Sequence, residues 1–351
     1  MKAILLAGGK GTRLRPLTIH TPKPIVPIFD RPFLQFQLDL IKKVPEIDEV
    51  ILSLNYQPRR IEGIFGDGGD SGLALRYMVE PAPLGTAGAV RFAAESLRDS
   101  VVVFNGDVLT EIDLQAVIAL HRDRQAKATI VLTPVENPSA YGLVEIDARS
   151  NVLRFLEKPD PDQITTDTIN AGIYVLEPDT FDRIPSDRPW SIERSFFPSL
   201  IERHETFVAY VYRGYWIDIG TPEKYMQVHR DIMARRYHAA PFAGDRSGVC
   251  VSPSARIEEG ARVEAPCFID AEVIVKSGAR IGPNSVIGRH CYIEESASVE
   301  RSIIWANTRV SQEAIVRDAI VGRHCHIGRS ALVEDGTVLG DKSVITDYTR
   351  L

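Results

Sequence analysis

The densest chemistry in this 351-residue chain follows its first apolar run, in Leu6-Ala7-Gly8-Gly9-Lys10-Gly11-Thr12-Arg13-Leu14-Arg15-Pro16-Leu17-Thr18. Three glycines within four positions let backbone amides approach a polyanion, and Lys10, Arg13 and Arg15 bring positive charge to the same turn, so the residue types point to a polyphosphate. The spacing is neither G-x-G-x-x-G nor G-x-x-x-x-G-K-S/T, which excludes the dinucleotide-binding and P-loop readings. A turn that merely needs glycine explains Gly8 and Gly9 but leaves the cations without a reason. A second segment, Thr21-Pro22-Lys23-Pro24-Ile25-Val26-Pro27-Ile28, holds a single lysine between prolines that stiffen the chain around it.

The elements that must position these loops are written in two grammars. From Met1 to about Arg236, short β-branched runs alternate with longer amphipathic stretches, the pattern of an α/β domain with a Rossmann-like, mostly parallel sheet. Strands are expected over 2–7, 49–55, 74–80, 100–106 and 128–135. Helices are expected over 32–43 with Pro32 in the first turn, over 86–97 with Thr86 as N-cap, and over 113–125 opened by Asp113. In such sheets ligands gather beyond the carboxyl ends of the strands, where the glycine-rich turn stands. Residues 1–238 are therefore read as one domain and the small-residue stretch 239–250 as a linker.

Over 251–351 a period of six takes over. Aliphatic residues recur at Val251, Ile257, Val263, Ile269, Val275, Ile281, Ile287, Ile293 and Val299, then after a five-residue step at Ile304, Val310 and Val316, and after another at Val321, Ile327, Val333, Leu339 and Ile345. Small residues dominate four positions later. Such a period is no helix; it reads as a parallel β-helix in which each side of a triangular coil gives one inward aliphatic residue, with corners tightened at the five-residue steps. Cys267, Cys291 and Cys325 fall on the small-residue phase and read as packing thiols. His324-Cys325-His326 reads the same way rather than as a metal site, because strand neighbours face opposite ways. His290, His324 and His326 are the residues an acyltransferase reading would need, but the repeat runs without a long inserted loop to build such a pocket.

Composition bounds the rest. A net charge of −6 and a pI near 5.8 leave no basic field for nucleic acid or an anionic membrane. Four cysteines without C-x-x-C spacing suggest neither a zinc knuckle nor a disulfide framework, and the apolar run ending at Ala7 is too short for a signal-peptide core, so a reducing cytoplasm is the expected location.

Matched in order, L-A-G-G-x-G-T-R-L-R-P-L-T, P-K-P-I-V-P-I, Pro83-Leu84-Gly85-Thr86-Ala87-Gly88, Asn105-Gly106-Asp107, Tyr141-Gly142, Phe155-Leu156-Glu157-Lys158-Pro159, Asn170-Ala171-Gly172-Ile173-Tyr174 and Gly214-Tyr215-Trp216-Ile217-Asp218-Ile219-Gly220 resemble the signature of the sugar-1-phosphate nucleotidyltransferases, the nucleoside-diphosphate-sugar pyrophosphorylases. Within that family, Asn55-Tyr56-Gln57-Pro58, the P-L-G-T-A-G form and the Ser191-Ile192-Glu193 to Phe197-Pro198 segment are most similar to mannose-1-phosphate guanylyltransferases, and the tail resembles their left-handed hexapeptide-repeat β-helix.

The resemblance implies transfer of a nucleotidyl group from GTP to mannose 1-phosphate with release of pyrophosphate. Glucose 1-phosphate with UTP or dTTP, or a non-catalytic regulatory subunit that binds nucleotide sugar, are the alternatives. It implies Arg13, Lys23, Asp107 and Asp218 as catalytic, and Mg2+ on Asp107 and Asp218. It implies nucleotide contacts at Leu6, Ala7, Gly8, Gly9, Gly11, Thr12, Arg13, Gly85, Thr86, Gly106 and Asp107. Sugar-phosphate contacts are implied at Gly142, Glu157, Lys158, Asn170 and Gly172, and a homo-oligomer built through the β-helix is expected. Two departures stand out: Gly106 where relatives often carry Ser, and Ala82 where a Glu often precedes Pro83, which removes a carboxylate near the expected base site and leaves other nucleotides open.

Overall fold

In the computed structural model, residues 1–69, 72–244 and 247–351 are described, so Asp245 and Arg246 of the expected linker lie outside the described residues. Contacts divide the chain into two compact units, one of residues 1–9 and 34–216, the other of residues 10–33 and 217–351.

The first unit is built on a nine-stranded sheet. Its strands are β1 (Lys2–Leu6), β2 (Glu49–Leu54), β3 (Ala74–Val79), β4 (Val101–Asn105), β5 (Ala128–Pro134), β6 (Gly142–Ile146), β7 (Val152–Glu157), β8 (Thr168–Leu176) and β9 (Phe207–Val211). The order is β7-β6-β8-β4-β1-β2-β3, with β5 joining β8 to β9. The block β4-β1-β2-β3 is parallel, as the strand–helix alternation requires. Along that path beyond β4 the pairing turns antiparallel, because β6, β7 and β8 follow one another without an intervening α-helix and return on themselves, while β9 pairs with β5 in parallel. Ala3, Ile4 and Leu5 of β1 are fully buried, as a central strand covered on both faces should be.

The helices are α1 (Phe33–Ile41), α2 (Pro58–Phe65), α3 (Gly85–Ala93), α4 (Leu114–Asp123), α5 (Phe197–Glu202) and α6 (Pro222–Met233), of which α6 belongs to the second unit. Asp113 caps α4 as expected, its Oδ1 accepting from the amides of Gln115 and Ala116 at 3.0 and 3.2 Å. Thr86 does not cap α3. Gly85, at φ +73°, turns the chain into the helix one residue earlier, and the amides of Ala87 and Gly88 donate to the Trp190 carbonyl instead. Pro32 stands just before α1, paired antiparallel with Pro27, rather than inside its first turn.

In the second unit, 17 short strands from Val249–Val251 to Val344–Ile345 lie in three parallel sheets of six, six and five strands. This is the parallel β-helix, consistent with the left-handed form. Every aliphatic position of the period falls in one of these strands. Coil-to-coil register is 18 residues, as in Ile269↔Ile287, but 17 across the two short steps, as in Ile287↔Ile304 and Ile304↔Val321. Corners are residues with positive φ: Asn284, His290 and Ser296, then Arg301 and Asn307, then Asp318 and His324. A corner follows its aliphatic residue by three positions ordinarily, by two after Val299 and Val316, so the tightening sits at Arg301 and Asp318.

The same geometry settles the cysteines and histidines. Cys267, Cys291 and Cys325 are buried, and burial pushes the first two thiols up to about 12. His290 and His324 occupy corners, while exposed His326 turns outward to share a 2.9 Å hydrogen bond with the Ser311 hydroxyl, away from buried Cys325.

The second unit also holds residues 10–33, three 3-10 turns at Thr12–Leu14, Leu17–Ile19 and Lys23–Ile25. Phe29 anchors this segment. Its ring meets those of His229, Phe242 and Phe268 at centroid separations of 4.9, 5.4 and 5.2 Å, so Phe242 of the expected linker is fully buried.

Candidate active site

In the first unit, Leu6 lies opposite Ser53 on one side and Asn105 on the other, which sets the turns after β1 and β4 beside each other at their carboxyl ends. The Gly106 amide donates to the Leu6 carbonyl at 3.0 Å, and a Cβ at Gly106 would lie 2.4 Å from that oxygen, so only glycine lets the chain reach Asp107 here. Gly8 abuts the Glu80 carboxylate: a Cβ there would stand 3.3 Å from Oε1. Glu80 is only 9% exposed; it accepts from the Ser53 hydroxyl at 3.0 Å and from the Leu84 amide at 3.1 Å. A buried carboxylate thus stands beside Gly8 two residues upstream of Ala82. The sequence reading looked for one at 82 and missed it.

A second cluster forms where β6, β7 and β8 meet. Glu157, at the end of β7, lies over Gly142, where a Cβ would stand 3.0 Å from Oε2. Burial, then the nearby Glu193 carboxylate, raise the Glu157 pKa, opposed by Lys158 and Arg194. Exposed Lys158 follows at φ +52°, its amide donating to the Tyr141 carbonyl at 2.9 Å. Asn170 Nδ2 donates to the Tyr174 hydroxyl at 2.8 Å, while its Oδ1 accepts from the Gly172 amide at 2.8 Å. Gly172, at φ +76°, could carry no side chain without striking Asn105 and Val108. The Trp216 indole donates to the Ala171 carbonyl at 2.9 Å and stands edge-on to Tyr141.

Glu193 ties this cluster to α3. Its Oε2 accepts from the Thr86 hydroxyl at 2.9 Å and from the Ser191 hydroxyl at 2.8 Å, while the Thr86 oxygen accepts from the Ile192 amide at 2.8 Å. The sequence reading placed Thr86 near the base and missed Glu193, whose only signal was its place in a matched segment.

In the second unit, Gly11 takes φ +59°, and a Cβ on it would meet Thr18 and Lys23 at 3.2 and 3.3 Å. The glycine-rich turn therefore lies against the proline-stiffened lysine, fastened by the Thr18 hydroxyl on the Gly11 carbonyl at 2.7 Å. Exposed Arg13 spreads its guanidinium over Gly220, where a Cβ would come within 2.9 Å of three of its atoms. Asp218, two residues before Gly220, is buried and ion-paired with Lys224 on the first turn of α6, which Thr221 caps. A lone lysine on an amphipathic helix gave no sequence signal for Lys224.

Asp107 and Asp218 are hard-oxygen donors of the type magnesium takes. Among the described residues, no three His, Cys, Asp or Glu side chains gather into a metal cage. Among the described residues, no helix is long and apolar enough to cross a membrane.

The chain matches the family model for nucleotidyl transferases over residues 2–235 and that for the GMPPB C-terminal domain over residues 263–351. It is 40% identical over 293 residues to a mannose-1-phosphate guanylyltransferase of Mycobacterium tuberculosis, covering 81% of this chain and 77% of that one. It is 33% identical over 335 residues to a UTP–glucose-1-phosphate uridylyltransferase of Synechocystis, covering 91% and 86%. Among solved structures, HddC from Yersinia pseudotuberculosis complexed with GMP-PN aligns at 30% identity with a TM-score of 0.57, covering 66% of this chain and 99% of that one. Nucleotidyltransferases of this kind generally work with a divalent metal. With matched motifs running from the glycine-rich turn to α6, the chain belongs to the nucleotidyl transferase family as a sugar-1-phosphate nucleotidyltransferase.

Proposed function

We propose that this protein transfers GMP from GTP to mannose 1-phosphate, giving GDP-mannose and pyrophosphate. A phosphate oxygen of the sugar attacks the α-phosphorus, the α–β phosphoanhydride bond breaks, and pyrophosphate leaves with that electron pair. The nucleophile is already ionised, so catalysis consists of positioning and charge neutralisation rather than proton abstraction. Arg13 engages the triphosphate with its two-pronged guanidinium and stabilises the departing pyrophosphate, and Lys23 adds charge on the same side. Lys158 holds the sugar phosphate, while Glu157 and Asn170 accept from or donate to the sugar hydroxyls beside Gly142 and Gly172. Asp107 and Asp218 would hold Mg2+, which when bound neutralises phosphate charge.

The observation that carries guanine over other bases is Glu80, a buried carboxylate at Gly8: guanine offers two adjacent N–H donors, which a carboxylate accepts together, whereas uracil and thymine offer one. Uridylyl transfer to glucose 1-phosphate is the second reading, favoured by the Synechocystis relative. Pyrophosphate release measured for four triphosphates against mannose, glucose and N-acetylglucosamine 1-phosphates decides between them. GTP with mannose 1-phosphate is expected to give the highest kcat/KM, and a preference for UTP or dTTP would reverse the assignment. We also propose a cytoplasmic homo-oligomer assembled through the β-helix, since open β-helix ends expose unpaired strand edges.

A further inference from the structure

Two chains of contacts run from the β-helix to the loop that carries Lys23, and both begin at Arg323. In the first, Arg323 Nη1 donates to the hydroxyl of fully buried Thr21 at 2.6 Å. The same hydroxyl lies 3.4 Å from Asp341 Oδ2, and Asp341 Oδ1 accepts from the Arg323 amide at 2.8 Å, which closes a ring of three residues. In the second, the Arg323 guanidinium stacks 4.9 Å above buried Trp305. The Trp305 indole donates to the Tyr225 hydroxyl at 3.0 Å, and that hydroxyl donates to the Pro27 carbonyl. The two routes end at Thr21 and Pro27, on either side of the 3-10 turn Lys23–Ile25. Nearby, Pro16 packs on Gly340, where a Cβ would stand 3.0 Å from the proline Cβ.

The β-helix itself does not require arginine at this place. Arg323 immediately precedes the positive-φ corner His324; arginine also precedes the corners His290, Asp318 and Ser330, while Pro283, Glu295, Ala306 and Gln312 precede Asn284, Ser296, Asn307 and Glu313. Arg289, Arg317 and Arg329 pair with β-helix carboxylates, Asp270, Glu300 with Glu334, and Asp347, whereas the Arg323 guanidinium donates to Thr21 outside the coil, and that contact is what sets this arginine apart.

We propose that Arg323 is a positioning residue for nucleotidyl transfer: from the β-helix it fixes the Thr21–Pro27 loop and thereby the Lys23 ammonium that meets the triphosphate. This rests on the reading of Lys23 as a triphosphate ligand. A disturbance in the coils that carry Trp305, Arg323 and Asp341 is then felt as a loss of order at Lys23, and the β-helix acts on one substrate rather than on both.

The test uses the full-length chain with Arg323→Ala, Arg323→Lys, Thr21→Val, Thr21→Ser and the Arg323→Ala/Thr21→Val double variant. Amide hydrogen exchange over residues 18–28 and separate KM values for GTP and mannose 1-phosphate are measured. Arg323→Ala and Thr21→Val should each speed exchange over 18–28 and lower kcat/KM for GTP about tenfold, with KM for mannose 1-phosphate unchanged within about twofold. The double variant should lose little more than either single one, because both break the same contact. Thr21→Ser should behave as wild type, and Arg323→Lys should fall between, keeping the charge but losing the planar fork. Unchanged exchange over 18–28 in Arg323→Ala overturns the proposal, as does an equal loss for both substrates with exchange raised throughout the chain. Should Arg323→Ala not fold, Thr21→Val, which alters one hydroxyl, carries the same readouts. A wild-type enzyme that turned over no pair of triphosphate and hexose 1-phosphate would overturn the substrate reading, while the exchange measurement would still decide the brace.

Discussion

The sheet unit and the β-helix use their residues in opposite ways. In the β-helix the inward aliphatic residue of each step is interchangeable among Val, Ile and Leu, and information lies in keeping the phase. In the sheet unit the residues we propose for the chemistry sit where local regularity fails: beside Gly106, which could carry no side chain, at Lys158 with its positive φ, and at the irregular pairing of β8 between Asn170 and Tyr174. A repeat gains stability by many equivalent contacts, each replaceable; a site depends on a few groups that nothing else can stand in for.

That contrast can be broken by mutation, and the largest effect is expected at Asp107. Asp107→Asn should lower kcat on the order of a thousandfold in magnesium while the circular dichroism spectrum and thermal midpoint stay put; normal turnover would remove Asp107 from the metal. Next come Arg13→Ala and Lys158→Ala, each costing roughly tenfold to a hundredfold in affinity. The first should act on the triphosphate and the second on the sugar phosphate, and a loss on the same substrate in both would contradict the division of roles.

The β-helix should show the reverse. Ile281→Ala, at a fully buried position in an earlier coil, is expected to cost about 2–5 kcal/mol in denaturant unfolding with kcat nearly unchanged at temperatures where the chain is folded. A collapse of kcat without loss of stability there would erase the distinction between the regions.

The smallest effect concerns acid. His229 is fully buried; its Nε2 accepts from the Phe29 amide at 3.2 Å, so its Nδ1 carries the proton toward the Tyr225 carbonyl at 3.0 Å. Burial lowers its pKa from 6.5 to about 4. The unfolded chain therefore binds the proton more readily, and this contribution to stability, about 3 kcal/mol at most, is whole above pH 6.5 and lost as the pH falls toward 4. Unfolding of His229→Gln should show a shallower acid dependence across that window, and an identical slope would assign the acid sensitivity elsewhere.

Periodicity made much of this fold legible. The strand–helix alternation located β1 through β5 to within a residue or two, and the six-residue phase located every coil, including the two shortened ones. The antiparallel half of the sheet was not legible that way, because β6 and β7 are short runs separated by a turn and were visible only as motifs. Thr86 looked like a helix cap because threonine before a helical pattern usually is one; the Trp190 carbonyl, a hundred residues away in sequence, does that work instead. Glu80 and Lys224 were missed for a related reason. Nothing local marks a carboxylate at a strand end or a lysine on an amphipathic helix, since what singles them out is a partner that only the folded chain brings near.

The chain order has one consequence for synthesis. Thr21 is among the first residues made, and Arg323, its hydrogen-bond partner, lies 302 positions later. At about 5–20 residues per second, roughly 15 to 60 s separate the two on the ribosome. Residues 10–33 pack in the unit completed by 217–351, so they cannot reach their final seat until the last coils have emerged. The loop bearing Lys23 is thus translated early and finished late, and a chain halted before the β-helix is complete would carry all four proposed catalytic residues without the brace that orders Lys23.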